Sequence, residues 1–180
     1  GFHNMCDPYK PLGRTLGTLY ILQHGYHPRP RNLRDFSGPA VRWAYSYVVL
    51  GLLTLDDLRA GCYKAANKKG VTATSYRDDN ITLYLPFFEK RNAVERASTL
   101  FHEVHHQLAR VSHTCNPSKD NYFPSNGAYA RHVQYLISYF YHANNLTSKV
   151  HKVFAKELGR SYLSRKFCDG VAAWADNIFN

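Results

Sequence analysis

The sequence predicts a single α+β domain over residues 1–180, with a small mixed sheet ahead of a helical C-terminal half. Three observations carry this: a hairpin pattern over residues 71–85, a long amphipathic helical pattern over 92–111, and further helical patterns after it. A chain of 180 residues can bury a core of ordinary size, and 44% hydrophobic with 14% aromatic residues excludes a disordered chain.

The first forty or so residues hold Asp7-Pro8, His27-Pro28-Arg29-Pro30 and Gly38-Pro39, which reads as an irregular arm laid over the core. Thr54-Leu55-Asp56-Asp57 looks like a helix start, with Leu55, Leu58 and Cys62 on one stripe and Gly70 beyond the end, so a helix is expected over about 55–68. Val71 to Tyr76 and Ile81 to Leu85 are rich in β-branched and aromatic residues, and Arg77-Asp78-Asp79-Asn80 between them forms a turn. The next helix runs from about Asn92 to Val111, with Val94, Ala97, Phe101, Val104, Leu108 and Val111 on its buried side. A loop over 115–126 follows, then helices over about 127–143, 146–158 and 161–178.

A formal charge of +10 favours acidic partners by screened long-range attraction, although the Lys and Arg residues are scattered. The four cysteines, Cys6, Cys62, Cys115 and Cys168, form no CxxC pair, which rules out a cysteine-built zinc knuckle and leaves disulfides or buried thiols. Even cysteine count and the sequons Asn80-Ile81-Thr82 and Asn145-Leu146-Thr147 agree with a secreted or periplasmic location. The start, Gly1-Phe2-His3, lacks the features of a signal peptide. The most apolar run, Ala44 to Leu53, is too short to span a bilayer, so a soluble protein with no membrane span is expected.

Chemistry concentrates in Phe101-His102-Glu103-Val104-His105-His106. On a helix, His102 and His106 lie on one face a turn apart, so both imidazoles reach one ion. Glu103, rotated about 100° from His102, is badly placed as a third ligand but well placed to take a proton from a water. Ten histidines make chance spacings more frequent, yet this one falls in a strongly helical segment that follows a hairpin.

This segment resembles the zincin metallopeptidases, whose signature is a helix carrying His-Glu-x-x-His preceded by a sheet with an edge strand beside the cleft. The likeness covers about residues 71–142, and the order of elements is gluzincin-like. It implies a zincin-like fold, one Zn²⁺, a peptide or protein substrate, and endopeptidase activity with Glu103 as general base. By the same resemblance, Ile81 to Leu85 is the edge strand that holds substrate backbone.

The third ligand departs from the common patterns. Metzincins place a third His six residues after the second, past a Gly, and carry a Met-turn; here Ala109 and Ser112 stand at those positions and the only methionine is Met5. His113 would lie about 10 Å further along a continuing helix, too far to share the ion. Glu157, the only glutamate after Glu103, is a reserve candidate in a Lys-rich stretch. His132 is preferred, because Tyr129, His132, Val133, Leu136 and Phe140 share one inward stripe and a buried imidazole needs a partner. Tyr129, one turn earlier, is the candidate hydrogen-bond donor to an oxyanion. His105 is assigned to a supporting or surface position, and Asp120, Asp169 or Asp176 to orienting a ligand imidazole.

Two other classes compete with the hydrolase. A basic nucleic-acid or acidic-polymer binding module would use the charge, but no helix carries a dense Lys/Arg stripe. A catalytically inactive zincin-like domain that only binds a partner would explain the irregular third ligand.

Overall fold

The computed structural model describes residues 10–24, 44–53, 57–61, 70–76, 80–123, 127–143, 149–169, 171 and 177–179. Along the chain these form α1 (Pro11–His24), α2 (Ala44–Leu53), β1 (Asp57–Gly61), β2 (Ala73–Tyr76), β3 (Asn80–Tyr84), α3 (Leu85–Glu89), α4 (Ala93–Ala109), α5 (Ala128–His142) and α6 (Lys149–Arg165). The result is a mixed α+β arrangement that is mostly helical.

The expected hairpin is present: β2 and β3 pair antiparallel, with Ser75 opposite Ile81 and Thr74 opposite Thr82. β1 pairs with the other side of β3 in parallel, giving the order β1-β3-β2. This corrects two expectations. Asp57–Gly61 is a strand rather than part of a helix over 55–68, because ladder pairing with β3 outweighs the local capping signal of Thr54-Leu55-Asp56-Asp57; residues 62–69 lie outside the described residues. Ile81 to Leu85 is not an edge: Ile81–Tyr84 is the central strand, paired on both sides, and Leu85 opens α3. Ile81 and Leu83 are buried on one face of β3, Asn80 and Tyr84 on the other, as in a strand covered on both faces. The buried Asn80 is also no acceptor for a glycan in the folded chain; Asn145 lies outside the described residues.

The irregular arm is corrected in part, since α1 occupies Pro11–His24 and starts on a proline, whose fixed φ suits the first helical turn. Residues 1–9 and 25–43 lie outside the described residues. At the other end, the two helices expected over 146–158 and 161–178 are replaced by one: α6 runs unbroken through Gly159 and ends at Arg165, after which Phe167 and Val171 form β-bridges. A Cβ at Gly159 would meet the Phe179 ring at 2.4 Å, so glycine serves close packing there rather than helix termination.

α4 passes through the centre of the fold. Asn92 caps it, its side chain accepting from Glu95 N at 3.0 Å. Val94, Ala97, Phe101 and Val104, all on the expected stripe, are fully buried, as is Leu100. α1, α2, β2 and α5 all pack on this helix, so its polar residues Ser98, His102, Glu103, His105 and Gln107 are buried as well. Gln107 donates to Asn80 O at 3.3 Å and to the Ser75 hydroxyl, fixing the helix against the sheet. A second apolar cluster, with Phe123, Val133, Ile137, Leu163 and Phe167, joins α5 to α6.

The segment after α4 is fastened to the end of α6. Asp120 N donates to Lys166 O at 3.0 Å, Cys168 N donates to Asp120 O at 2.9 Å, and Cys115 is disulfide-bonded to Cys168. Cys6 and Cys62 lie outside the described residues. The Cys115–Cys168 bridge closes a loop with a sequence separation of 53, for which loop-closure entropy gives a stabilisation of about 4 kcal/mol. Cys115→Ser with Cys168→Ser is therefore expected to lower the unfolding free energy by up to about that amount in a denaturant titration.

Candidate metal centre

His102 and His106 lie one turn apart on the face of α4 that borders a cleft of about 1500 Å³. Their Nε2 atoms are 3.2 Å apart. Two nitrogens each about 2.0–2.1 Å from a tetrahedral ion are separated by about 3.3–3.4 Å, so the spacing fits a shared metal. His106 Nδ1 is 2.7 Å from Val111 O. A carbonyl only accepts, so the Nδ1–H donates and the Nε2 lone pair faces His102.

The third imidazole of this cluster is His113. Ligand atoms of His102, His106 and His113 all lie within 4.8 Å of one another. The expectation that His113 lies too far away is corrected by the end of the helix. α4 stops at Ala109, and Arg110 adopts the left-handed conformation, φ 51° and ψ 33°, which reverses the chain and brings His113 back over His106, ring centroids 4.8 Å apart. His113 Nδ1 donates to Asp120 Oδ1 at 3.1 Å, leaving its Nε2 for the ion. Asp120, fully buried, also accepts from Thr114 N, from Tyr129 N at 2.8 Å and from Ala130 N at 3.2 Å, so one carboxylate orients His113 and caps the first turn of α5. Gly127 is required beside it, because a Cβ there would fall 2.1 Å from Asp120 Oδ2. Of the three aspartates expected as orienting groups, Asp120 holds a ligand imidazole, Asp176 lies outside the described residues, and Asp169 bonds through its backbone N–H to Asn121 O.

His132, preferred from the sequence as third ligand, stands beside this cluster and not in it. Its ring is buried, 5.7 Å from the His102 ring and stacked at 4.2 Å on Tyr162, and its Nε2 has no hydrogen-bond partner among the described residues. The stripe on α5 correctly pointed it inward; what the stripe lacked was any sign that His113 is brought within 4.8 Å of His102 and His106. Tyr129 stacks on His113 with centroids 4.5 Å apart and lies 4.6 Å from the His102 ring. Glu103 lines the same cleft and is buried. His105 is buried rather than at the surface. Glu157 sits on the exposed side of α6, 3.8 Å from Arg160, and not among the cleft-lining residues.

The electrostatics follow from burial. Desolvation holds His102 well below the usual histidine range, helped by the neighbouring imidazoles of His106, His132 and His113. Burial also lowers His106, partly offset by its bond to Val111. Neutral imidazoles are the form that ligates a metal. Burial, then the charges of Lys166 and Arg91, push His132 down to about 3, and burial raises Glu103 to about 8. Burial, with Tyr162, Glu103 and Asp120 nearby, raises Tyr129, which keeps its phenolic proton. For Asp120, burial works upward, but the bonds from His113, Ala130 and Thr114 prevail and hold it low.

β2 is an outer strand among the described residues, and its Ala73, Thr74 and Ser75 line the cleft beside the imidazoles. No helix among the described residues is long and apolar enough to cross a membrane. No protein-family model, curated protein or solved structure matches the chain.

A stability profile against pH follows for the metal-free chain. His102 and His132, depressed in the fold, take up protons in the unfolded chain below the ordinary histidine value of 6.5, so acidification below that value destabilises. Glu103, raised to about 8 from 4.5, holds a proton in the fold that the unfolded chain has lost, so stability falls as pH rises from 4.5 towards 8. Between 4.5 and 6.5 the depressed histidines, His106 among them, outweigh the raised carboxyls of Glu103 and Glu95, and above 6.5 the raised Glu103 carboxyl sets the slope. Urea titrations across this range are expected to show maximal stability near pH 6.5 and a decline on both sides; a steady rise through pH 8 would contradict these assignments.

Proposed function

We propose that this chain is a zinc-dependent hydrolase of peptide bonds, of the zincin type that the His-Glu-x-x-His segment resembles. The observation that carries the reading is the convergence of His102, His106 and His113 beside a buried Glu103 in an open cleft. Three imidazoles, two of them with the tautomer set by a bond at Nδ1, His106 to Val111 O and His113 to Asp120, are a donor set suited to zinc and common at sites that keep one position open for chemistry.

When bound, the ion supplies Lewis acidity towards a carbonyl oxygen and a water. With a cation held by the three imidazoles, Glu103 would be ionised in spite of its burial and able to accept a proton from the attacking water. The protonated carboxyl then delivers that proton to the departing amine. Tyr129, kept neutral by burial, donates its phenolic hydrogen towards the negative charge that develops on the carbonyl oxygen. The outer strand β2 offers backbone groups along the same cleft, which suits an extended peptide better than a compact small molecule. This moves the substrate-binding role from Ile81–Leu85 to the neighbouring strand. The Cys115–Cys168 disulfide is compatible with an extracellular location.

Glu103→Gln separates the roles. It is expected to retain the metal, because the three imidazoles are untouched, and to lower the rate on a cleavable protein substrate by at least about a hundredfold. A chelator added to wild type is expected to abolish the same activity, with zinc restoring it. Unchanged turnover in Glu103→Gln would exclude this carboxyl as the base, and turnover insensitive to chelator would remove the metal from the reaction.

A further inference from the structure

One wall of the cleft carries polar groups that the proposed hydrolysis does not use. Arg91, His132, Tyr162 and Lys166 all line it. Two of their nitrogens, Arg91 Nε and His132 Nε2, are buried without a hydrogen-bond partner among the described residues. Buried polar atoms are paired in the great majority of cases, and an orphaned one costs about 1–3 kcal/mol, so two lining one cleft call for a ligand. Arg91 does have one carboxylate, Glu95 Oε1 at 2.8 Å from Nη1, but its Nε is left over.

Lys166 adds a cation. Its ammonium lies 4.6 Å from the centroid of the Tyr129 ring, the same ring that stacks on His113, and no carboxylate pairs with it among the described residues. It is half-buried, with Lys119 and Arg165 as the nearby charges that act on it and both of them positive. His132 stacks on Tyr162 at 4.2 Å, and Tyr162 lies 5.8 Å from the Tyr129 ring that Lys166 covers, so ring contacts join His132, Tyr162 and Lys166 along the cleft. The remaining acids of the cleft are committed: Glu95 to Arg91, and Glu103 to the metal side.

We propose that Arg91, His132, Tyr162 and Lys166 form a subsite for a carboxylate on the substrate, seated beside the three-histidine cluster. Tyr129 bridges the two, touching His113 on one hand and Lys166 on the other, so the carboxylate belongs to a residue next to the scissile bond or the one after it. An extended chain advances about 3.3 Å per residue, which keeps that group within reach of the cluster. The carboxylate comes either from an Asp or Glu side chain or from the C-terminus of a short peptide. This inference rests on the peptidase reading for its scissile bond, but the carboxylate subsite itself is tested by binding alone.

The test uses the intact chain and four fluorescently labelled peptides of one sequence, with a central Glu or Gln and a free or amidated C-terminus. Affinities are read by anisotropy in about 0.15 M salt, where diffuse attraction to a basic protein is screened. Wild type is expected to favour the matching carboxylate over its amide by about tenfold, in the range of a charge-assisted hydrogen bond. Lys166→Met is expected to remove that preference, and Lys166→Glu to turn it towards the amide. Lys149→Met, an exposed lysine at the other end of α6, is expected to leave it intact. A Glu-over-Gln preference assigns the side chain as source, and a preference for the free C-terminus assigns a carboxypeptidase-like mode. Equal binding of all four peptides, no binding of any, or a preference unchanged in Lys166→Met overturns the subsite. Cleavage is followed in the same samples: preference without cleavage keeps the subsite and removes the peptidase reading, and cleavage without preference does the reverse.

Discussion

Much of the candidate site depends on one buried carboxylate. Asp120 receives the Nδ1–H of His113 on one oxygen and the backbone amides of Tyr129 and Ala130 on the other. It thereby joins the loop that follows α4 to the start of α5, and sets the third imidazole and the stacked tyrosine in register with His102 and His106. Its own backbone is tied to the end of α6 through Lys166 and Cys168, with the disulfide close by. An aspartate with no exposure survives in such a place only because its charge is spread over four N–H donors, and the same bonds hold it ionised against the desolvation that would protonate it. Gly127 marks the tightness of this junction, where a single added methyl would collide with the carboxylate.

α4 contributes the other half. A helix packed on by α1, α2, β2 and α5 is left open mainly along the cleft, so His102, His105 and Glu103 are buried and His106 half-buried by the architecture and not by their own preference. Burial then does the chemical work: it keeps the imidazoles neutral and lifts the glutamate, two shifts of opposite sense from the same cause. A cation placed beside His102 and His106 would reverse the second shift without disturbing the first, the condition under which the proposed base could accept a proton.

The sequence made the central parts legible. The spacing of His102 and His106 on an amphipathic helix, the hairpin before it, the inward stripe on α5 and the role open to Asp120 all follow from periodicity and chemistry that neighbouring residues carry. What it hid was set by contacts between distant segments. Asp57–Gly61 has a local helix signal and becomes a strand because β3 offers a ladder. Gly159 looks like a helix end and is instead a packing site for Phe179. The reversal that delivers His113 uses Arg110 in a left-handed conformation that glycine or asparagine usually signals. The available sign was weaker: after Val111 the apolar stripe ends, and Ser112, Thr114 and Asn116-Pro117 cannot sustain a buried helix.

The central claim is that His102, His106 and His113 hold one zinc ion and that His132 does not. X-ray absorption at the zinc edge of the loaded chain counts imidazole ligands directly, and comparison of wild type with His113→Ala and His132→Ala isolates the third. The account predicts three imidazoles in wild type, two in the His113 variant and three in the His132 variant. Three imidazoles retained in His113→Ala together with two in His132→Ala would contradict it and return the third ligand to α5.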